Sequence, residues 1–179
     1  MSISEQKISL RKEMRDRLRS SHADSRQIQN KIAHYLEAHP EHHCIAAFAP
    51  LQGEVDLLPL LQEAKRNWVF PKISAEAIDF YQVENPTLDL TPGAYSILEP
   101  APHCHKVPIS QIDLILCPGI AFSRNGARLG RGKGYYDRTL CQLRQDARIV
   151  GVCFDFQIIE NIPMDRHDVF MNRVFTEAY

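Results

Sequence analysis

Net charge is almost absent from this sequence. Over 179 residues, 21 Lys and Arg stand against 22 Asp and Glu, a formal balance of −1. There is no global basic field to hold nucleic acid or an acidic membrane surface, so neither is expected as a partner. Long apolar runs are missing too. The longest, Leu114 to Phe122, is broken by Pro118-Gly119 and is too short to span a bilayer. The N-terminal segment is charged and polar and lacks the apolar core of an export signal. Cysteines number five, an odd count, and none forms a Cys-x-x-Cys pair. Several lie in apolar stretches, where a free thiol packs as a small hydrophobe. A reducing compartment, the cytoplasm, is expected. Glycine is scarce as well: of only eight, five fall between Pro118 and Arg138.

That segment also carries Arg124, Arg128, Arg131, Lys133 and Arg138 against a single acid, Asp137. Glycines allow close backbone approach and positive φ. Amides bared by such a turn, with cations beside them, form a cradle for an anion, most often phosphate. Two familiar phosphate loops are excluded. A Walker A loop would need glycine at Ala127 and a hydroxyl at Gly134. In the dinucleotide fingerprint the third glycine falls one residue later than Gly134.

The flanking pattern alternates strands and helices. Ser2 with Glu5 makes a capping box for a helix to about Ser20, on which Leu10, Met14 and Leu18 share a stripe with Lys7 and Arg11. Ile28, Ile32, Tyr35 and Leu36 give the inner face of a second helix, Asp24 to Ala38. Cys44 to Ala49 reads as a buried strand. Asp56 then caps a helix through Leu57, Leu58, Leu61 and Ala64, and Trp68-Val69-Phe70 is a strand ended by Pro71. Ile78 to Val83 suggests another strand, after which five prolines up to Pro108 imply ordered loop along a binding cleft. Strands are predicted at Leu114 to Cys117, Ile149 to Phe154 and, more weakly, Val169 to Thr176, with a helix over Gly134 to Leu143. The expected fold is α/β: a single domain over residues 1–179, three layers (α/β/α), with a mostly parallel, Rossmann-like sheet.

Several candidate residues have two readings. Lys7 and Arg11 either snorkel at the rim of an apolar stripe or reach a ligand. Glu54, just past the first strand, is either a solvated loop acid or part of the crevice at the strands' carboxyl ends. Asp137 either complements a helix dipole or holds Mg²⁺ against phosphates. His42-His43-Cys44 and His103-Cys104-His105 have metal-ligand side chains but lack the paired spacings of structural zinc sites, so no metal is expected there. Ser-His-Asp and Cys-His nucleophilic catalysis have no supporting motif.

The string Pro118-Gly119 to Phe122, followed by Gly126-x-Arg128-Leu129-Gly130-Arg131-Gly132-Lys133-Gly134-Tyr135-Tyr136-Asp137, strongly resembles 5-formyltetrahydrofolate cyclo-ligase. Lys7-x-x-x-Arg11, Gln52-Gly53-Glu54 and an aromatic at Tyr95 ahead of Glu99-Pro100 agree in order and spacing. The resemblance implies an ATP- and Mg²⁺-dependent closure of 5-formyltetrahydrofolate to 5,10-methenyltetrahydrofolate, releasing ADP and phosphate. It implies ATP contacts at Lys7, Arg11 and Arg128, Leu129, Gly130, Arg131, Gly132, Lys133, Gly134, Tyr135 and Tyr136, with Lys133 and Arg128 catalytic. Folate contacts would come from Ala49, Glu54, Arg131, Gly132, Lys133, Gly134 and Tyr135, and magnesium from Asp137. A monomer is implied. Two departures stand out: Asn172 falls where some relatives carry a second acidic metal ligand, and Ala49 where relatives have a larger apolar residue. The competing expectations are a non-catalytic folate- or nucleotide-binding member of the fold and, by fold analogy alone, a sugar-phosphate isomerase.

Overall fold

A computed structural model describes residues 2–21, 23–63, 66–75, 77–93 and 97–178. Tyr95, and Ala64 at the expected end of its helix, lie outside the described residues. In chain order the elements are α1 (Ile3–Ser20), α2 (Arg26–Ala38), β1 (Cys44–Ala46), α3 (Leu60–Glu63), β2 (Asn67–Ser74) and β3 (Ala77–Gln82). Then come α4 (Pro86–Asp89), β4 (Leu90–Pro92), β5 (Leu98–Pro100), β6 (Lys106–Val107), β7 (Leu114–Cys117), β8 (Ala121–Phe122) and β9 (Arg128–Leu129). The chain finishes with α5 (Tyr135–Leu140), β10 (Arg148–Val152) and β11 (Arg173–Phe175).

Seven strands form one sheet in the order β11-β10-β7-β1-β2-β3-β6. The pairs β11-β10, β10-β7, β7-β1 and β1-β2 are parallel, while β3 is antiparallel to both its neighbours. Side-chain alternation divides the core. Ile45, Leu114, Leu116 and Val150 pack with Ile28, Ile32 and Leu36 of α2. Ala46, Ile115 and Cys117 pack on the opposite face with Leu140 of α5. Strands buried on both faces read as continuous apolar runs because helices cover both sides. The three-layer, mostly parallel expectation therefore holds.

The differences from expectation have local causes. β2 continues through Pro71 to Ser74. Pro71 has the same parity as Asn67 and Val69, whose backbone groups bond to the β1 segment; that segment has ended by residue 71, so the missing N–H breaks no ladder. The helix expected to reach Leu143 stops at Leu140, and Gln142 and Leu143 bond three residues back as a tighter turn. The last strand shortens because the Met171 amide donates to the Gly126 carbonyl instead of to the sheet.

The capping box of α1 is formed as expected: Glu5 N donates to Ser2 Oγ, and Ser2 N to the Glu5 carboxylate. Met14 and Leu18, both under 5% exposed, seat α1 on Ile120, Ala121, Ala127 and Leu129 of the β8–β9 ribbon. Each such burial contributes roughly 2 kcal/mol. This docking brings the N-terminal helix to the glycine-rich segment more than 100 positions away.

Candidate active site

The glycine-rich loop leaves β9 and enters α5, and α1 lies along one side of it. Arg11 Nε donates to the Gly130 carbonyl at 2.9 Å, and Arg15 Nη2 to the Arg131 carbonyl at 3.3 Å. At Gly132 φ is +102°, a region that side chains rarely adopt, and an added Cβ would stand 3.4 Å from the Arg11 guanidinium. Lys7 is enclosed in an ion pair with Asp168 from the C-terminal segment. Lys7 and Arg11 are thus bound to the loop and the tail rather than snorkelling at a rim. Burial, and then Arg15, lower the pKa of Arg11, while Asp168 and Asp137 oppose them; both acids therefore act on this one guanidinium.

On the loop's other side a cavity of about 240 Å³ opens at the carboxyl ends of β1 and β7, where α/β sheets bind ligands. Phe48, Ala49, Leu51, Pro71, Ile73, Ile78, Ile97 and Leu98 give it apolar walls; Glu54, Arg131, Lys133 and Asp137 are among its polar lining. The continuation of β2 beyond Pro71 supplies part of that wall. Glu54 is held in a tight turn: its Oε2 accepts from Leu51 N at 3.0 Å and its Oε1 from Arg131 Nη2 at 2.5 Å. The turn requires Gly53, at φ +81°, because a Cβ there would lie 2.4 Å from the Leu18 carbonyl oxygen of α1.

A second ion pair clasps the two ends of the loop, from β9 to α5. Arg128, 5% exposed, donates to the Pro118 carbonyl at 3.3 Å and to Asp137 Oδ1 at 2.9 Å, and stacks 5.4 Å from the Tyr136 ring centroid. Its Nε is buried with no partner among the described residues. Burial acts to lower the Arg128 pKa, but Cys117 and Asp137 more than offset this, so the guanidinium stays charged. Cys117 lies within electrostatic reach of both members of this pair, and burial pushes its thiol up to about 11, which disqualifies it as a nucleophile. Desolvation likewise raises the Tyr136 phenol well above its ordinary value and keeps it protonated. Lys133 is exposed on the cavity rim and has no hydrogen-bond or ion-pair partner among the described residues. A cation left free beside an apolar cavity can take an anion without first breaking a bond. The donor set at Asp137 fits a hard cation: one oxygen is tied to Arg128, and the carboxylate lines the cavity.

The sequence profile of the 5-formyltetrahydrofolate cyclo-ligase family matches residues 3–177. The chain belongs to that family. It is accordingly a ligase. It is 32% identical over 144 residues to the 5-formyltetrahydrofolate cyclo-ligase of Escherichia coli strain K12, covering 76% of this chain and 79% of that one. The mouse (Mus musculus) 5-formyltetrahydrofolate cyclo-ligase is 27% identical over an alignment of 205 positions, covering 99% of this chain and 96% of its own. The solution structure of Aquifex aeolicus 5,10-methenyltetrahydrofolate synthetase superposes with a TM-score of 0.79 at 34% identity, covering 100% of this chain and 91% of that one.

Within this cyclo-ligase fold the sequence-derived residues fall into two groups. Ala49, Glu54, Arg128, Gly130, Arg131, Lys133, Gly134, Tyr135, Tyr136 and Asp137 all line the cavity. Lys7, Arg11 and Gly132 lie outside that lining, and Arg11 adjoins Gly132 on the α1 side of the loop. The Leu129 side chain is buried under α1, which leaves only its backbone for a ligand. Asn172 is committed elsewhere: its Oδ1 accepts from Ile149 N at 2.7 Å, beside β10. The tail carboxylate that meets α1 is Asp168. Sequence reasoning missed Asp168 and also Gln157, which is 1% exposed and donates to the Gly119 and Ile120 carbonyls at the start of the loop. A polar residue next to the apolar Ile158-Ile159 was the one available signal for Gln157. Nothing local marked Asp168.

Proposed function

We propose that this chain catalyses the ATP- and Mg²⁺-dependent conversion of 5-formyltetrahydrofolate to 5,10-methenyltetrahydrofolate, releasing ADP and phosphate, as a monomeric cytoplasmic enzyme whose catalytic domain spans residues 1–179. The observation that carries the reading is the free Lys133 on a loop shared by an apolar cavity and a cation-bearing helix face. The flat folate rings suit the apolar walls around Phe48, Ala49 and Leu98. ATP suits the loop amides with Lys7, Arg11 and Lys133.

A formamide oxygen is a weak nucleophile and its carbon a weak electrophile. Transfer of the γ-phosphoryl group to that oxygen breaks the bond to the β-phosphate oxygen, releases ADP and makes the formyl oxygen a leaving group. The N10 amine then attacks the formyl carbon. Phosphate departs with the former formyl oxygen, and the N10 proton is lost to water. Positioning and charge stabilisation suffice for phosphoryl transfer, and no side-chain nucleophile is needed. Lys133 balances charge on the transferring oxygens. Arg128 acts as a positioning residue that fixes Asp137 and keeps water from the cavity floor. Glu54, with its carboxylate oriented by the Leu51 amide, binds polar hydrogens of the folate. Asp137 would hold Mg²⁺, which would supply positive charge against that of the ATP phosphates.

Purified chain supplied with Mg·ATP and 5-formyltetrahydrofolate is expected to show the near-ultraviolet absorbance rise of the methenyl product, with one ADP per turnover. Folate binding by calorimetry without substrate-dependent ADP release would overturn this and favour a non-catalytic binder.

A further inference from the structure

We propose that Asp89, His103 and Cys104 form a site for a zinc-class divalent cation that staples one wall of the active-site cavity. The sequence offered His103 and Cys104 without a partner at metal-ligand spacing; the fold supplies Asp89 from the end of α4. One ligand atom from each residue lies within 4.8 Å of the other two. His103 Nε2 stands 2.9 Å from Asp89 Oδ1, and Cys104 Sγ stands 3.5 Å from the Asp89 carbonyl. Zinc bonds of about 2.0–2.3 Å place tetrahedral ligand atoms roughly 3.3–3.6 Å apart, so a small opening of this cluster admits the ion.

The donor types select the ion. One thiolate, one imidazole and one carboxylate suit Zn²⁺ far better than Mg²⁺, which wants oxygen alone. The carboxylate is already oriented, because Asp89 Oδ2 accepts from Glu84 N at 2.9 Å and Asn85 N at 2.8 Å, leaving Oδ1 for the ion. Water completes a fourth position. Among the described residues one other three-donor cluster exists, His39, Glu41 and His42, and it has no thiol.

Placement gives the site its consequence. Asp89 immediately precedes β4, while His103 and Cys104 follow β5 by three and four residues. The β4–β5 hairpin carries Leu98 and Glu99 into the cavity lining. An ion bound across its base ties both strands together at the end away from their turn. The folate-facing wall is thereby stiffened without touching the loop or Asp137.

The test is titration of chelator-stripped full-length chain with Co²⁺ and then Zn²⁺, in excess Mg²⁺. One Co²⁺ per chain is expected, with a sulfur-to-cobalt charge-transfer band that Zn²⁺ abolishes. Cys104→Ala should remove the band, and both Cys104→Ala and His103→Ala should weaken Zn²⁺ binding by at least on the order of tenfold. Cys141→Ser, which alters an exposed thiol, should leave both unchanged. Zinc should also slow amide exchange at Leu90, Thr91, Leu98 and Glu99. The absence of a band in the unaltered chain, its persistence in Cys104→Ala, or loss of the bound ion in His42→Ala would overturn the assignment. Circular dichroism confirms that each variant is folded.

Discussion

In the pair Arg128–Asp137 the cation is the enclosed partner, with a side chain 4% exposed against 24% for the acid. In Arg131–Glu54 the acid is enclosed, 5% against 43%. One pair clasps the two ends of the loop, the other anchors its middle, and they are inverted in burial. An enclosed charge that has lost its water depends on its partner, whereas an exposed one can be rehydrated or taken over by a ligand. Arg128 therefore belongs to the fold, and Glu54 needs either Arg131 or a ligand's polar hydrogens beside it. Their exposed partners, Asp137 and Arg131, are the groups a metal ion or phosphate can recruit. Lys133, between the pairs and without a partner among the described residues, is the extreme of the exchangeable kind.

Arg128→Met removes the enclosed cation of the first pair. It replaces a buried charge with an apolar group of similar length and strands the Pro118 carbonyl. A loss of about 3 kcal/mol in denaturant unfolding is expected, the low end for breaking a buried pair, because Asp137 can still reach water. Unchanged stability would mean that the buried guanidinium is not structural. Lys133→Ala tests the opposite extreme. Its unfolding curve should match that of the unaltered chain, while kcat for methenyl formation falls roughly 10²- to 10³-fold, the cost of removing one preorganised charge stabiliser. Turnover near normal would take Lys133 out of the chemistry.

How far the sequence anticipated these pairs depends on whether the cause was local. The α1 capping box, the Leu114–Cys117 strand and the stripe carrying Lys7 and Arg11 are set by neighbours within four residues, and all are formed. Pro71 misled because its meaning depends on where β1 ends, a tertiary fact. The loop announced itself through glycine crowding, and its cations were legible as a set. Which of them would be buried was not. Arg128 and Arg131 are three residues apart and identical in type, yet β9 turns the first into the interior while the second leaves the ribbon. Glu54 finds Arg131 across 77 positions, and Lys7 finds Asp168 across 161, distances at which no periodicity informs.

Glu54→Gln alters the enclosed acid of the second pair more gently. The amide keeps the shape and an acceptor for Leu51 N but gives up the charge that holds Arg131. A hydrogen bond to a charged group contributes about 1.5–3 kcal/mol, so the dissociation constant for 5-formyltetrahydrofolate should rise roughly 10- to 100-fold in calorimetry. Equal folate affinity in the two proteins would return Glu54 to the role of a loop acid.

The smallest effect should come from Arg131→Ala. An arginine with nearly half its side chain in solvent gains little net energy from its partner, so unfolding should shift by no more than about 1 kcal/mol. The same substitution should raise KM for ATP, because the exposed guanidinium is the one free to exchange its carboxylate for a phosphate oxygen. These two readouts separate the pairs: Arg128 carries its effect in stability, Arg131 in ligand affinity. If Arg131→Ala instead destabilised the chain as much as Arg128→Met, the burial of Glu54 would make both pairs structural. The inversion would then say nothing about which charges are exchangeable.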